Sequence, residues 1–581
     1  MRAAIGFALR NAAITIRMCA TVALKGASAL GADVRNSAPV TFSSPIARIL
    51  HQRCSSCHHE GQAAPFSLVT YADVKKHAKD IRTVVEARIM PPWLPEPGHG
   101  EFVGDRRLTD EERTLILKWL DGGAPEGDPA LAPPSPQWTS GWLLGTPDLV
   151  VTMEAPYLLG PEGADVYRNF VIRLPLETNR WVRAVEFLPG NPRVVHHAFL
   201  RLDEEGQARR LDGRDGVPGF TDMLSTVRMP SGQFLVWNPG APPILSPPGL
   251  PWRLPRNSDL VVEMHLNRSG KPESLRSSVG FYFTDQPPTN TCQVFKLASY
   301  ALDFPPGATR EVVRDSVVLP VDVQLLAVYP HAHFLGKEMR GEAVRPDGTR
   351  ESLISIPEWN FNWQSAYRYA RPIRLPKGTT LNLEYTYDNS TNNVRNPNNP
   401  PKRVTYGPQS SDEMCELGFQ VLTQDATSAQ ALEEMAGQHR SQLIRKWYEQ
   451  RLTRDSEDAE ALTRLGMMHW VDGPSAEAQQ FLERAVRAQP GLAEAHHNLG
   501  VALRFGGRFP EAKAEFETAL RLDPRSPRTH QQLAFALASM GRIRDAARNF
   551  ELALELDPAD SVSKDGLAEL RRVVESRQRP K

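Results

Sequence analysis

Cysteine is scarce. Five occur in 581 residues, too few to staple several domains in the manner of a disulfide scaffold. An excess charge is also missing: Lys plus Arg and Asp plus Glu each number 68. No global field therefore points to nucleic acid or to an anionic membrane surface. No stretch reaches ~18 uninterrupted apolar residues, so no transmembrane span is predicted. Acidic residues are absent before Asp33. The Ala-rich, basic segment 1–35 reads as a leader or secretory signal, although Arg17 and Lys25 interrupt its apolar core; an unstructured leader is the alternative.

What is present divides the chain into dissimilar parts. The length suits three or four domains of about 150 residues each. Proline is abundant, at 49 residues, which suggests loop-rich β structure away from the helical ends.

Cys54-Ser55-Ser56-Cys57-His58 is the first chemical motif. Cys-x-x-Cys-His is the covalent attachment signature of a c-type haem, the thiols binding the vinyl groups and the histidine the iron. A redox dithiol would use Cys54 and Cys57 without needing His58. Helical patterns over 46–52 and 71–89 surround it. Thr109-Asp110-Glu111-Glu112 caps a last helix through Leu120, which Gly122-Gly123 ends. Residues 36–122 thus have the layout of an all-α cytochrome c. Met90, beside Pro91 and Pro92, is the expected sixth iron ligand; His77 and His99 are alternatives, while His51 and His59 read as surface residues. Such a haem implies a periplasmic or otherwise exported protein. Residues 123–145, rich in Pro, Gly and Ala, read as a linker.

From Asp148 onward short alternating runs separated by Pro and Gly predict β-sandwich structure. Histidines recur at the ends of these runs. Val323 to Val328 reads as a buried strand leading into Tyr329-Pro330-His331-Ala332-His333. If the strand continues, His331 and His333 share one face; two surface histidines are the plainer reading. His196 and His197 are adjacent in an apolar run, and His265 ends another. Ser411-Asp412-Glu413-Met414-Cys415 adds a thioether, a soft ligand that prefers copper, especially Cu(I). Five histidines and one methionine suffice for two three-ligand sites, each with open positions. Neighbouring residues on a regular strand face opposite ways, so His196 and His197 can share a metal only where the strand bulges or ends.

The ordered set is an adjacent His pair, a single His, a His-x-His followed by Leu335-Gly336-Lys337, and then Ser-Asp-Glu-Met-Cys. It resembles the copper type II, ascorbate-dependent monooxygenases, the family of the peptidylglycine hydroxylating and dopamine β-monooxygenases. The resemblance spans roughly residues 145–425. It implies two tandem β-sandwich, jelly-roll-like subdomains, 146–288 and 289–426, facing each other across a solvent-filled cleft. It implies an electron-transfer copper on His196, His197 and His265, and an oxygen-site copper on His331, His333 and Met414. No catalytic residue beyond these ligands is expected. The implied reaction inserts one oxygen atom of dioxygen at a C–H bond, with two electrons supplied by ascorbate or another external reductant. Tethering a haem to the same chain would raise the local concentration of reductant. The alternative is a non-catalytic haem and copper electron-transfer or metal-binding protein.

The chain departs from the family in two respects. Cys292 and Cys415 alone remain for a bridge, and pairing them is compatible with an oxidising compartment. The peptide-amidating relatives carry Arg two residues before His-x-His, and Asn and Tyr after Met-Cys. Tyr329, Glu416 and Gly418 occupy those positions here. A small-molecule substrate, or a peptide other than peptidylglycine, is expected; Tyr329 and Glu416 line its pocket or simply pack. Trp359-Asn360-Phe361-Asn362-Trp363 reads as core and rim.

A charged helical connector follows over 427–456. Leu465, Leu499 and Leu533 recur every 34 residues, as do Ala485, Ala519 and Ala553, and Pro490, Pro524 and Pro558. That period is the tetratricopeptide signature of an α-solenoid. Residues 457–581 are expected to hold three helix pairs and a capping helix over 561–576, with a protein partner on the concave face. His496-His497 lies on a repeat helix and reads as packing rather than metal binding.

Overall fold

The structure is a computed structural model. It describes residues 39–578 apart from 63, 138–140, 164, 222–226, 231 and 472–474. The leader expected over 1–35 lies outside the described residues.

Four helices, Ile46–Arg53, Tyr71–Lys76, Ala78–Glu86 and Asp110–Asp121, form the first unit. Ile46, Leu50, Val74, Ile81, Ile116 and Trp119 close its core. Thr109 caps the last helix as its sequence predicts: the Glu112 N–H donates to Thr109 Oγ1 at 3.0 Å and the Thr109 N–H to Glu112 Oε2 at 2.8 Å. The single helix expected over 71–89 is two. His77 leaves helical geometry between them; its ring stacks on Phe66 at 3.8 Å and bonds the Asp80 carboxylate at 3.3 Å.

The loop between the third and fourth helices reaches out of this unit. Phe102 joins the core of the second sandwich, Trp93 and Leu94 pack against it, and the Phe102 ring sits 5.0 Å from Tyr369. The Glu96 N–H donates to Ser355 O at 2.8 Å and the Ala370 N–H to Glu101 O at 2.7 Å. Apolar side chains in a Pro- and Gly-rich loop would otherwise face water, and each buried one stabilises the docking by ~1.5–3 kcal/mol. The expected linker is docked too: the Leu143 and Leu144 N–H groups donate to the Glu186 carboxylate at 2.7 and 2.8 Å.

The middle of the chain is β-rich. In the first sandwich one sheet contains Leu149–Thr152, Ser278–Thr284 and Arg180–Leu188, and the other runs Val166–Arg173, Asp259–Leu266, Val195–Asp203 and Val236–Trp237. Val182, Phe281, Leu200 and Val262 from the two sheets share one core. In the second sandwich the sheet order is Cys292–Ala298, Glu416–Leu422, Val323–His331, Tyr367–Leu375, facing Glu311–Val318, Thr380–Tyr387, Gly336–Val344 and Arg350–Ile356. Val323–His331 lies inside its sheet and is buried nearly throughout, which is why it reads as an unbroken apolar run.

Cys292 and Cys415 do not pair; both are free, buried thiols. Cys292 lies opposite Leu422, whereas Cys415 precedes the other end of that strand, where Glu416 faces Ala298. Six residues of extended strand separate the ends by roughly 20 Å, far beyond disulfide reach.

The connector is one helix, Ala426–Arg454. Leu432 packs on the second sandwich and Tyr448 against Ala461 and Leu465 of the repeats. The pairs Ala459–Val471 with Ala476–Ala488, Ala493–Phe505 with Phe509–Leu522, and Pro527–Ser539 with Ile543–Leu556 then stack, followed by Ser561–Gln578. Their close approach needs small residues: a Cβ on Gly500 would lie 2.6 Å from the Phe516 ring. No described helix is long and apolar enough to cross a membrane.

Candidate metal centres and an adjoining cavity

His196 and His197 lie at a β-bulge. In the ladder between Val195–Asp203 and Asp259–Leu266, Val195 faces Leu266 and His197 faces His265, leaving His196 as the extra residue. The bulge cancels the alternation that would separate the two rings. His196 Nδ1 then lies 3.2 Å from His197 Nδ1 and 3.1 Å from His265 Nδ1. The three side chains form a group able to hold a metal ion. His265 Nε2 meets the Asp165 carboxylate at 3.0 Å, and its ring stacks on Tyr167 at 4.2 Å. The carboxylate accepts a hydrogen bond from the Nε2–H, which leaves Nδ1 as the lone-pair donor. Burial and the neighbouring His265 push His196 down to about 4, and burial holds His197 well below its ordinary value. His196 and His197 thus favour the neutral form that binds metal.

The second pair is held differently. The strand ends at His331, so His333 is not positioned by strand alternation. Glu413, fully buried, places it instead. Its carboxylate accepts the His333 N–H, the Leu335 N–H at 2.9 Å and the Met414 N–H at 2.8 Å. Burial outweighs the pull of those three donors and leaves the Glu413 carboxyl raised, to about 8. The His331 Nδ1–H donates to Gln364 Oε1 at 2.6 Å and the His333 Nδ1–H to Asp412 O at 3.1 Å. Both Nε2 atoms keep their lone pairs. The rings lie 5.3 Å apart at 83°. Met414 shares the Glu413 anchor through its N–H and is half-buried, its carbonyl accepting the Tyr387 hydroxyl at 2.9 Å.

Between the clusters stands one ring rather than open solvent. Phe361 is 2% exposed. Its centroid lies 6.1 Å from His197, 6.0 Å from His265 and 5.3 Å from His333. The solvent-filled cleft implied by the family resemblance is filled at this point by a phenyl group.

Cys54, Cys57, His58 and Met90 line one cavity of about 490 Å³, within the size range of cofactor sites. The His58 Nδ1–H donates to Phe66 O at 3.1 Å and leaves Nε2 free for iron. Burial pushes the Cys54 thiol up, to about 12, the reverse of the depressed value of a reactive dithiol. The donor set and the apolar wall suit a covalent haem. His77 is taken up by Phe66 and Asp80, and His99 Nδ1 meets Ser352 Oγ at 2.8 Å. His51 bonds Val69 O and His59 bonds Ser55 O. The far wall belongs to the sandwiches: Val195, His196, Asn362 and Trp363. Gly240 also touches this rim: at φ +71°, a Cβ there would lie 2.2 Å from Cys57 Sγ.

Asp165, Gln364 and Phe361 had no signature in the sequence, because each acts across more than twenty residues of chain. Glu413 belongs to the Ser411–Cys415 run, but nothing local shows that its carboxylate turns back onto His333.

The paired sandwiches define a β-rich protein whose first histidine cluster could hold a metal ion. More narrowly, residues 313–419 match the family described as copper type II ascorbate-dependent monooxygenase, C-terminal domain. Residues 493–526 and 527–560 each match a tetratricopeptide repeat. A search of curated proteins finds no match. Among solved structures, the crystal structure of MamA is 22% identical and covers 23% of this chain and 77% of its own, with a TM-score of 0.22. The Arabidopsis OM64 TPR domain is 22% identical, covering 20% of this chain and 96% of its own, with a TM-score of 0.20. The first TPR of Spaghetti (RPAP3), bound to an HSP90 peptide, is 20% identical, covering 21% and 96%, with a TM-score of 0.20.

Proposed function

We propose that the chain is a copper-dependent monooxygenase that hydroxylates a C–H bond with dioxygen, and that its N-terminal helical unit carries a covalent haem c that donates electrons to the coppers. The carrying observation is the shared cavity, in which Cys54, Cys57, His58 and Met90 face His196. Copper at the two sites would supply one-electron storage and oxygen activation.

The protein's own part is to hold donors neutral and fixed. Asp165 orients His265; Gln364 and Asp412 orient His331 and His333; Glu413 anchors the backbone of His333 and Met414. His196, His197 and His265 would bind the electron-transfer copper, and His331, His333 and Met414 the oxygen-site copper. Cys54 and Cys57 would bind the haem, and His58 and Met90 its iron. Tyr329 packs in a cluster with Phe199 and Val236, and Glu416 is ion-paired with Lys296. This supports a structural role for both, and peptidylglycine is not proposed as the substrate. The haem motif supports a periplasmic or otherwise exported location, and the repeats would dock a protein partner.

The test is anaerobic. Purified protein should contain two coppers and one haem, and ferrous haem should reoxidise once Cu(II) occupies the sites. Haem that stays ferrous with Cu(II) bound rules out the donor role. Stoichiometric copper with no oxygen consumption or product under reductant would point to the non-catalytic reading.

A further inference from the structure

One short segment touches all three proposed centres. Asn362 and Trp363 line the cavity that holds Cys54, Cys57 and His58. Phe361 stands between the two histidine clusters. The Trp359 indole N–H donates to His333 O at 3.1 Å, and Gln364 accepts from His331 at 2.6 Å. The segment is fixed at both ends. Arg395 Nη1 donates to Trp359 O at 2.7 Å, and Asn238 Nδ2 of the first sandwich donates to Gln364 O at 2.6 Å. Within it the Asn362 N–H donates to Asn360 Oδ1 at 3.1 Å.

Long-range electron transfer weakens steeply across gaps and least along bonded, closely packed paths. A positioned aromatic group between two metals shortens the gap and keeps water, with its reorganisation, out. We propose that residues 359–364 form the electron path of the molecule: Trp363 meets the haem edge, and Phe361 passes electrons from the His196–His197–His265 site to the His331–His333 site. This rests on the haem-fed copper reading above.

The electrons balance without any proton or bond change. With the groups bound, one electron would pass from ferrous haem by way of Trp363 to Cu(II) at the first site, leaving ferric haem and Cu(I). By way of Phe361 it would go on to Cu(II) at the second site. An external one-electron donor would re-reduce the haem, and a second electron would refill the first site. Phe361 and Trp363 are positioning residues here, since neither is a metal ligand.

The test uses the full chain with haem and both coppers. Oxidised protein is mixed anaerobically with two equivalents of a fast one-electron reductant. Haem absorbance and the Cu(II) EPR signal are then followed in time. In the natural protein both Cu(II) signals should vanish as the haem turns over. In Phe361→Leu the first copper should be reduced at the natural rate and the second at least tenfold more slowly, with two coppers still bound and unchanged EPR parameters. Phe361→Tyr, which keeps the ring, should return the second step to within about threefold. Trp363→Leu, at a half-buried position, should slow the first step severalfold. A second step at the natural rate in Phe361→Leu overturns the path and leaves the haem-donor reading standing. So does a Phe361→Tyr protein as slow as Phe361→Leu. Haem that never passes an electron to either copper in the natural protein removes both.

Discussion

Three adjacent histidine pairs occur in this chain, and two of them, outside the Cys-x-x-Cys-His motif, do opposite things. His196-His197 sits on a bulged strand and His496-His497 on a repeat helix. On the bulge the two Nδ1 atoms come within 3.2 Å and the third histidine approaches from across the ladder. On the helix consecutive side chains diverge by about 100°. His496 there bonds Glu515 at 2.6 Å and Pro490 O at 3.0 Å, and His497 bonds Thr529 Oγ1 at 2.9 Å. The dipeptide is therefore not the signal. A metal site needs convergent lone pairs that no protein hydrogen bond has claimed, and backbone geometry decides both conditions.

Ligand removal should separate the pairs most sharply. His265→Ala should lower copper from two ions per chain to one and weaken first-site affinity by at least ~100-fold, since an open three-ligand site loses a third of its donors. His497→Ala should leave two. Metal analysis after dialysis decides it, and equal losses in both variants would erase the distinction. Glu413→Gln probes how a site without a bulge is built. One amide oxygen cannot satisfy three buried N–H donors, so stability should fall by roughly 2–3 kcal/mol. The copper at His331 and His333 should also dissociate before the other one. Thermal melts with and without copper would show it.

A smaller effect is expected at Asp165→Asn. The first site should keep its copper but bind it about 10–100-fold more weakly, as loss of an orienting carboxylate does; competition with a chelator measures this. The smallest concerns pH. Burial pushes His497 down to about 4. The unfolded chain then takes up a proton that the folded repeats refuse, so this contribution to stability is complete above the ordinary histidine value of 6.5 and is lost as pH falls towards 4. A loss of roughly 1–3 kcal/mol across that window is expected, and His497→Gln should flatten it. Denaturant melts of the two proteins at pH 7 and pH 4.5 give the comparison.

Much of the architecture was legible because it is periodic or punctuated. The 34-residue spacing of Leu465, Leu499 and Leu533 anticipates the stacked helix pairs, and Thr109 with Glu112 marks a helix start. Legibility failed where one element leans on another. The break at His77 follows from stacking on Phe66. The loop with Trp93 and Phe102 fills a hydrophobic site in the second sandwich, and no local pattern in its sequence signals that contact. Phe361 reads as core, which is true of its burial but silent about its neighbours. The Cys292–Cys415 pairing failed because strand direction sets the two residues at opposite ends of a ladder.

Sequence alone determined the donor atoms: imidazoles, a thioether and a Cys-x-x-Cys-His, in an order that the copper family shares. It also determined the repeat period, since local patterns carry both. Tertiary structure alone decided that His265 meets His196 across 69 positions of chain. It decided which ring nitrogen stays free, and that one cavity has walls from the helical unit and the sandwiches. The reason is that a residue's chemistry belongs to its side chain, whereas its position depends on ladder register and core burial, which distant segments impose.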